Sequence, residues 1–311
     1  MADLFPGSLT DVAGLTLGHA QHFSACTGVT AILCVPGTVG GVDVRGAAPG
    51  TRETDLLAPG NLVQGPHAVL LCGGSAFGLA AADGAMRWLR ERGVGVDVGV
   101  GVVPIVPAAV LFDLACGRAD VWPDAAMGYA ACAAAGKAVA QGRVGAGAGA
   151  TVGKLIPGAT PAPGGVGTAC LQVGPYTVGA VVAVNAAGDV YHPHTGAWLA
   201  GGTLGGAPVP AQDALCRGGA FVANFGQNTT IGLVATDAAL TKAQAARLAT
   251  VGHDGIARCV RPAHTQVDGD TLFAVATCQT PGEAPLVALC AAAAEVVARA
   301  IVNAVTAGAK P

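Results

Sequence analysis

Charge is scarce in this chain of 311 residues: Asp, Glu, Lys and Arg make up 11% of it, against roughly 25% in an ordinary soluble protein. The formal net charge is -3 and like charges never form a run. That excludes the electrostatic footprint of a nucleic-acid or acidic-membrane binder, and a small molecule is the expected partner. A CxxC pair and zinc-finger Cys/His spacing are also missing. The ten cysteines, scattered from Cys26 to Cys290, therefore read as reduced packing residues. The start, Met-Ala-Asp-Leu-Phe-Pro-Gly-Ser, lacks the basic residues and apolar run of a signal peptide, which predicts a cytoplasmic protein. No internal period and no clean domain boundary appear, so residues 1–311 read as one domain.

What the chain has in abundance is apolar residues, at 52%. With so little charge to cover a surface, much of that surface is expected to be hidden in an oligomer. The longest apolar stretch, Pro285 to Val305, carries Glu295 and Arg299 four residues apart. That suits a buried core helix with an i,i+4 ion pair better than a membrane span. Short runs rich in Val, Ile and Leu predict buried strands at Gly28–Val35, His67–Cys72, Thr177–Val184, Thr230–Ala235 and Leu272–Thr277. Longer Ala-rich segments predict helices at Ala76–Arg92, Ala125–Ala140, Thr241–Ala257 and Pro285–Val305, with Thr241 as an N-cap. The class is α/β. Pro157–Gly167 and Gly201–Pro210 read as loops, the second giving slack upstream of Asn228.

Several short motifs fail on counting. Gly145 to Lys154 resembles a phosphate loop, but Ala148 stands where its first glycine belongs and Leu155 replaces the magnesium-binding Ser/Thr. The same stretch misses the dinucleotide fingerprint, because Val152 takes the third glycine's place. Gly73-Gly74-Ser75-Ala76-Phe77-Gly78 approaches a nucleophile elbow with its last glycine one position late, which leaves Ser75 as a second-choice nucleophile. His192-Pro193-His194 offers two metal donors without a nearby third and reads as a turn. Neither a metal nor a cofactor is expected.

Asn228-Thr229-Thr230 matches a glycosylation acceptor, a reading without meaning in the absence of a secretory signal. Alone it is a turn before a buried strand. Yet a β-branched hydroxyl residue at the first position of a strand is what an N-terminal nucleophile requires, because strand packing fixes the attacking group. Asp268-Gly269-Asp270 precedes another apolar run. Residues two apart in an extended chain share a face, so one of these carboxylates is expected to have a raised pKa. Locally a solvated turn explains them equally well, and the spacing of an EF-hand loop is absent.

The order of longer motifs resolves these alternatives. Leu9–Leu15, Arg45–Asp55, Gly73–Gly78, Gly142–Gly147, Asn228–Ile231 and His264–Thr271 together resemble the L-aminopeptidase/D-esterase family. That family includes β-peptidyl aminopeptidases and the endo-acting 6-aminohexanoate-oligomer (nylon-oligomer) hydrolases. The resemblance runs almost end to end. It implies a four-layer αββα sandwich made as a precursor and cut into residues 1–228 and 229–311. Thr229 Oγ would attack the Asn228 carbonyl, the peptide would become an ester, and water would release Thr229 as a new amino terminus. Its α-amino group, with a typical pKa of about 7.7 to 8.0, would then serve as the base for Thr229's own hydroxyl. By the same resemblance Asn185 donates to the oxyanion, Lys154 supports that charge or holds Thr229, and Asp268 and Asp270 orient the nucleophile. A homo-oligomer, a tetramer of processed pairs, is also implied.

Two departures keep the implied substrate broad. Phe112 stands where some nylon-oligomer hydrolases carry a site tyrosine, and Thr229 replaces the serine of several aminopeptidase members. The expected substrates are peptides with a free amine, β-peptides or linear ω-amino-acid oligomers. Ornithine acetyltransferases, which also self-cleave before a threonine, and a non-enzymatic binding protein remain as alternatives.

Overall fold

A computed structural model describes residues 4–222 and 226–309. Residues 1–3, the first part of the non-basic start, lie outside the described residues. Ten strands form two five-stranded sheets. They are β1 (Leu15–His22), β2 (Thr27–Cys34), β3 (Val39–Val44), β4 (Thr51–Arg52), β5 (Ala68–Cys72), β6 (Ala108–Val110), β7 (Gly165–Val173), β8 (Tyr176–Asn185), β9 (Thr229–Ala238) and β10 (Thr271–Thr280). The first sheet has the order β1-β2-β5-β6-β4 and the second β7-β8-β9-β10-β3. All neighbours are antiparallel except β5 with β6 and β9 with β10. The helices are α1 (Ala81–Arg90), α2 (Ala125–Ala133), α3 (Ala211–Cys216), α4 (Lys242–Cys259) and α5 (Leu286–Gly308).

The strands carry apolar residues on both faces, and alternate residues enter different cores. From the second sheet, Val181, Ala183, Ile231, Leu233, Phe273 and Val275 join Ile32, Val69, Leu71 and Leu111 of the first sheet or its edge in one cluster. Their neighbours Val178, Val182, Val234, Leu272 and Ala274 pack with Leu248, Ile256, Val297 and Ile301 of α4 and α5 in a second. On the far side of the first sheet, Val29, Ala31, Leu70 and Val110 pack with Ala82, Ala85, Leu89 and Ala131 of α1 and α2 in a third.

The five predicted strands and four predicted helices all occur, with differences at their ends. The first helix opens as a 3-10 turn, Ser75–Ala80, before α1. Helix α2 stops at Ala133 instead of reaching Ala140, because the chain leaves to pair Gly136 with Leu17 through bonds of 3.0 Å in each direction. The expected loop Pro157–Gly167 gives way at Gly165 to β7, whose glycines let α5 approach: a Cβ on Gly167 would lie 2.1 Å from the Ala300 carbonyl oxygen. Thr241 caps α4 in a reciprocal capping box with Gln244. Helix α5 has the length and composition of a membrane span, but Val296, Val297, Ala300 and Ile301 are fully buried on the second sheet. Glu295 and Arg299 form the expected ion pair at 2.8 Å, and Glu295 also meets Arg258 and His194 at 2.9 Å.

Candidate active site

Topology brings the candidate residues to one end of the second sheet. Parallel pairing of β9 with β10 starts at Ile231 opposite Thr271, and Asn228 bridges to Asp268 just ahead of the ladder. Antiparallel pairing of β8 with β9 places Asn185, at the end of β8, directly opposite Thr229. The Gly-rich turn before Lys154 is tied to the same end by Gly153 N–H to the Gly188 carbonyl, 3.0 Å, and Lys154 N–H to that of Ala187, 2.9 Å. Thr229, Asn185, Asp268 and Asp270 are each at most 3% exposed.

At the Asn228–Thr229 peptide, the Thr229 hydroxyl donates to the Asn228 carbonyl oxygen, the group preceding it in the chain. The same oxygen accepts the backbone N–H of Gly269 at 2.8 Å. Attack by Oγ1 on that carbonyl would place negative charge where an amide donor already points, which is the arrangement of an oxyanion hole. The Asn228 side chain is held through Nδ2 on the Val267 carbonyl, 3.3 Å.

Lys154 and Asn185 act one peptide upstream. Lys154 Nζ donates to the Gln227 carbonyl (3.0 Å), the Asn185 backbone carbonyl (2.9 Å) and Asn185 Oδ1 (3.0 Å). Asn185 Nδ2 donates to the carbonyls of Phe112 (3.0 Å) and Gln227 (3.1 Å). Both amide protons of Asn185 are therefore engaged away from the Asn228 carbonyl. Burial lowers the Lys154 pKa to about 7, against the opposing pull of the Asp268 charge.

The two acids face different partners instead of each other. Asp268 accepts from Ala187 N–H (3.2 Å), Thr265 N–H (3.0 Å) and the Thr265 hydroxyl (2.5 Å). Burial, and then the charge of Asp270, raise its pKa. Asp270 accepts Thr230 N–H at 2.6 Å through Oδ1, while Oδ2 takes the His264 N–H (3.1 Å) and Nδ1 (2.7 Å).

A cleft of about 370 Å³ opens on the Lys154 and Gln227 side of this centre, lined also by Phe112, Asp113, Cys116 and Thr151 among others. Phe112 thus both borders the cleft and lends its carbonyl to Asn185. Asp113 is a site residue that the sequence reading passed over. It is 3% exposed, accepts Gly74 N–H at 2.7 Å, and burial raises its pKa to about 6. The signal available was a lone acid inside the apolar run Val110-Leu-Phe-Asp-Leu114.

Ser75 lies in the loop that Asp113 holds, half-buried with a φ of 53°, and its N–H donates to the Leu111 carbonyl at 2.9 Å. Among the described residues its hydroxyl has no hydrogen-bonded base, which is what a serine nucleophile needs. His192 and His194 lie apart from these residues, with rings 5.5 Å from each other, and His194 Nε2 lies 2.9 Å from Glu295.

The sequence profile of peptidase family S58 matches residues 7–310. An uncharacterized aminopeptidase of Mycobacterium tuberculosis (strain ATCC 25618 / H37Rv) is 52% identical over 290 residues, covering 87% of this chain and 81% of the relative. A 6-aminohexanoate-oligomer endohydrolase of Kocuria sp. (strain KY2) is 33% identical over 281 residues, covering 86% and 74%. Among solved structures, the L-aminopeptidase D-Ala-esterase/amidase of Ochrobactrum anthropi, described as a variant of the Ntn hydrolase fold, superposes with a TM-score of 0.70. That likeness covers 99% of this chain and 88% of the other at 22% identity, and it shows the fold.

Proposed function

This chain belongs to peptidase family S58 and is an amide-bond hydrolase, and we propose that it matures by cutting itself between Asn228 and Thr229. The observation that carries this reading is the shared Asn228 carbonyl, contacted by the Thr229 hydroxyl on one side and bonded by Gly269 N–H on the other. In the cut, the Oγ1–C bond forms, the C–N bond of Thr229 breaks, and the hydroxyl proton ends on the released nitrogen. Water then hydrolyses the ester, leaving an Asn228 carboxylate and a free Thr229 amine.

The freed amine is the base for the second reaction, in which Thr229 attacks a substrate amide and water resolves the acyl-enzyme. Once the new carboxyl terminus withdraws, the donors now held by Gln227, Lys154 Nζ and Asn185 Nδ2, become free to meet substrate beside the cleft. Asn185 then takes the oxyanion role that Gly269 has in the cut. The three apolar clusters support a four-layer αββα sandwich. The low charge, with Phe23, Leu62 and Val100 exposed, supports an oligomer of processed pairs. The substrate class is a peptide with a free amine, a β-peptide or a linear ω-amino-acid oligomer, as the names of the relatives suggest.

The test is an assay of the purified, cut protein on an aminoacyl p-nitroanilide and on 6-aminohexanoate oligomers, with and without ornithine as acyl acceptor. Release of free acid without ornithine is expected. Transfer to ornithine with no hydrolysis would replace this reading by an acetyltransferase-like one.

A further inference from the structure

His264 stands in the left-handed backbone region, with φ at 55°, which few residues other than glycine enter, although His does so more readily than most. A side chain held there is usually fixed by its surroundings. Here the same carboxylate oxygen, Oδ2 of Asp270, takes both the backbone N–H of His264 at 3.1 Å and its ring Nδ1 at 2.7 Å. The other oxygen of Asp270 takes Thr230 N–H at 2.6 Å, the amide immediately after the nucleophile. Two of the three donors on Asp270 thus come from one residue.

We propose that His264 is a positioning residue for the chemistry of Thr229, clamping Asp270 and, in its protonated form, neutralising that carboxylate beside the nucleophile. The inference rests on the self-processing reading above. A bare carboxylate one residue from the freed Thr229 amine would raise the amine's pKa and leave less of it as free base near neutral pH. An imidazolium on Asp270 cancels that charge. Since Nδ1 faces a carboxylate, it carries a proton in either ionisation state, so the clamp survives titration and only the neutralising charge is lost.

The surroundings of His264 pull in both directions, since the second ring nitrogen, Nε2, is buried without a hydrogen-bond partner among the described residues. Burial pulls the His264 pKa down, but the hydrogen bond and charge of Asp270 outweigh it, so the value stands above the ordinary histidine range. The helix behind it contributes His253, whose ring lies 4.9 Å away at 67° and which burial pushes down to about 4, leaving it neutral. His253 Nε2 donates to the Asp43 carbonyl at 3.0 Å. Strand β3 and the residues after it contribute Asp43, which meets the Thr250 hydroxyl at 2.5 Å and Arg45 at 3.3 Å, and Arg45 itself, which opposes the His264 charge.

The experiment compares His264→Ala and His264→Asn with wild type, using the full chain. The splitting rate is followed by intact mass, and kcat and KM of the cut enzyme are measured on an aminoacyl p-nitroanilide, between about pH 5.5 and 9. For His264→Ala, splitting and kcat should fall by at least about tenfold with KM nearly unchanged. His264→Asn restores a neutral donor to Asp270 without a titrating group. The ratio of wild-type to His264→Asn rates should therefore fall sigmoidally with rising pH, with a midpoint above the ordinary histidine value of 6.5. A His264→Ala protein that splits and turns over at wild-type rates overturns the proposal, as does a pH-independent ratio for His264→Asn. If the alanine variant fails to fold, as its melting curve will show, the asparagine ratio decides alone. A wild-type chain that never splits refutes the parent reading instead.

Discussion

Replacing Gly269 by alanine tests whether its amide is the donor that makes the Asn228–Thr229 bond cleavable. A Cβ at this buried position would lie 2.5 Å from the Ala48 carbonyl oxygen and 2.9 Å from Thr229 Oγ1. Real Cβ contacts do not fall below 3.0 Å. The closer obstacle is backbone, and Ala48 is pinned by its own N–H on the Asp268 carbonyl at 2.9 Å, so no side-chain rotation relieves the clash. The segment 268–270 must shift by several tenths of an ångström, pulling Gly269 N–H off the Asn228 oxygen that it meets at 2.8 Å. Loss of one oxyanion donor costs about 2.7–4 kcal/mol of barrier, a rate factor of roughly 100 to 1,000. The overpacking itself should cost about 1–3 kcal/mol of stability. Quenched time courses by intact mass give the first quantity and denaturant melts the second. A folded Gly269→Ala chain that splits at the wild-type rate would refute the assignment of this amide.

The remaining predictions concern buried charges. The Lys154 pKa is depressed from 10.5 to about 7 in the folded chain, so between these values the unfolded chain binds the extra proton and stability rises with pH. Urea melts of wild type relative to Lys154→Met should show this as a gain of up to ~1.4 kcal/mol per pH unit above neutrality; a flat difference would mean that Lys154 is not desolvated. For Asp113 the sign reverses, because its pKa is raised from 3.8 to about 6. The stability that it confers is complete below the unfolded value and is lost as pH rises through 6. Relative to Asp113→Asn, wild type should lose about 2 kcal/mol between pH 4 and 6, and a difference independent of pH would contradict its burial as an acid.

Much of the fold was legible because the central strands are apolar on both faces. Tyr176–Asn185, Thr229–Ala238 and Thr271–Thr280 are buried from both sides over most of their length, and continuous Val/Ile/Leu runs report that directly. Leu15–His22 and Val39–Val44 escaped notice because they lie at or near sheet edges and carry His, Gln, Asp and Gly among their apolar residues. Gly165–Val173 was hidden by the glycines that let α5 pack against it.

In the site, Asn228, Thr229, Asp268 and Asp270 stood out in short motifs, Asn185 and Lys154 came only from the family resemblance, and the fold gathers all six at one end of the second sheet. Their partners were not legible. Nothing in local spacing says that Asp268 and Asp270 turn to Thr265 and His264 instead of to each other, or that Gly269 between them supplies the amide on Asn228. The Gly269 bond arises from the parallel pairing of β9 with β10, a contact between segments 40 residues apart, whereas Thr265 and His264 are brought to the two acids by the folding of the turn just ahead of β10.

The central claim, that Thr229 cuts the chain before itself, is tested most directly by intact mass of purified wild type beside Thr229→Ala and Ser75→Ala. Wild type and Ser75→Ala should each give two chains with a junction between Asn228 and Thr229, and Thr229→Ala one uncut chain of about 30.1 kDa. A Thr229→Ala protein that still splits at that bond, or a wild-type chain that stays whole, would contradict the account.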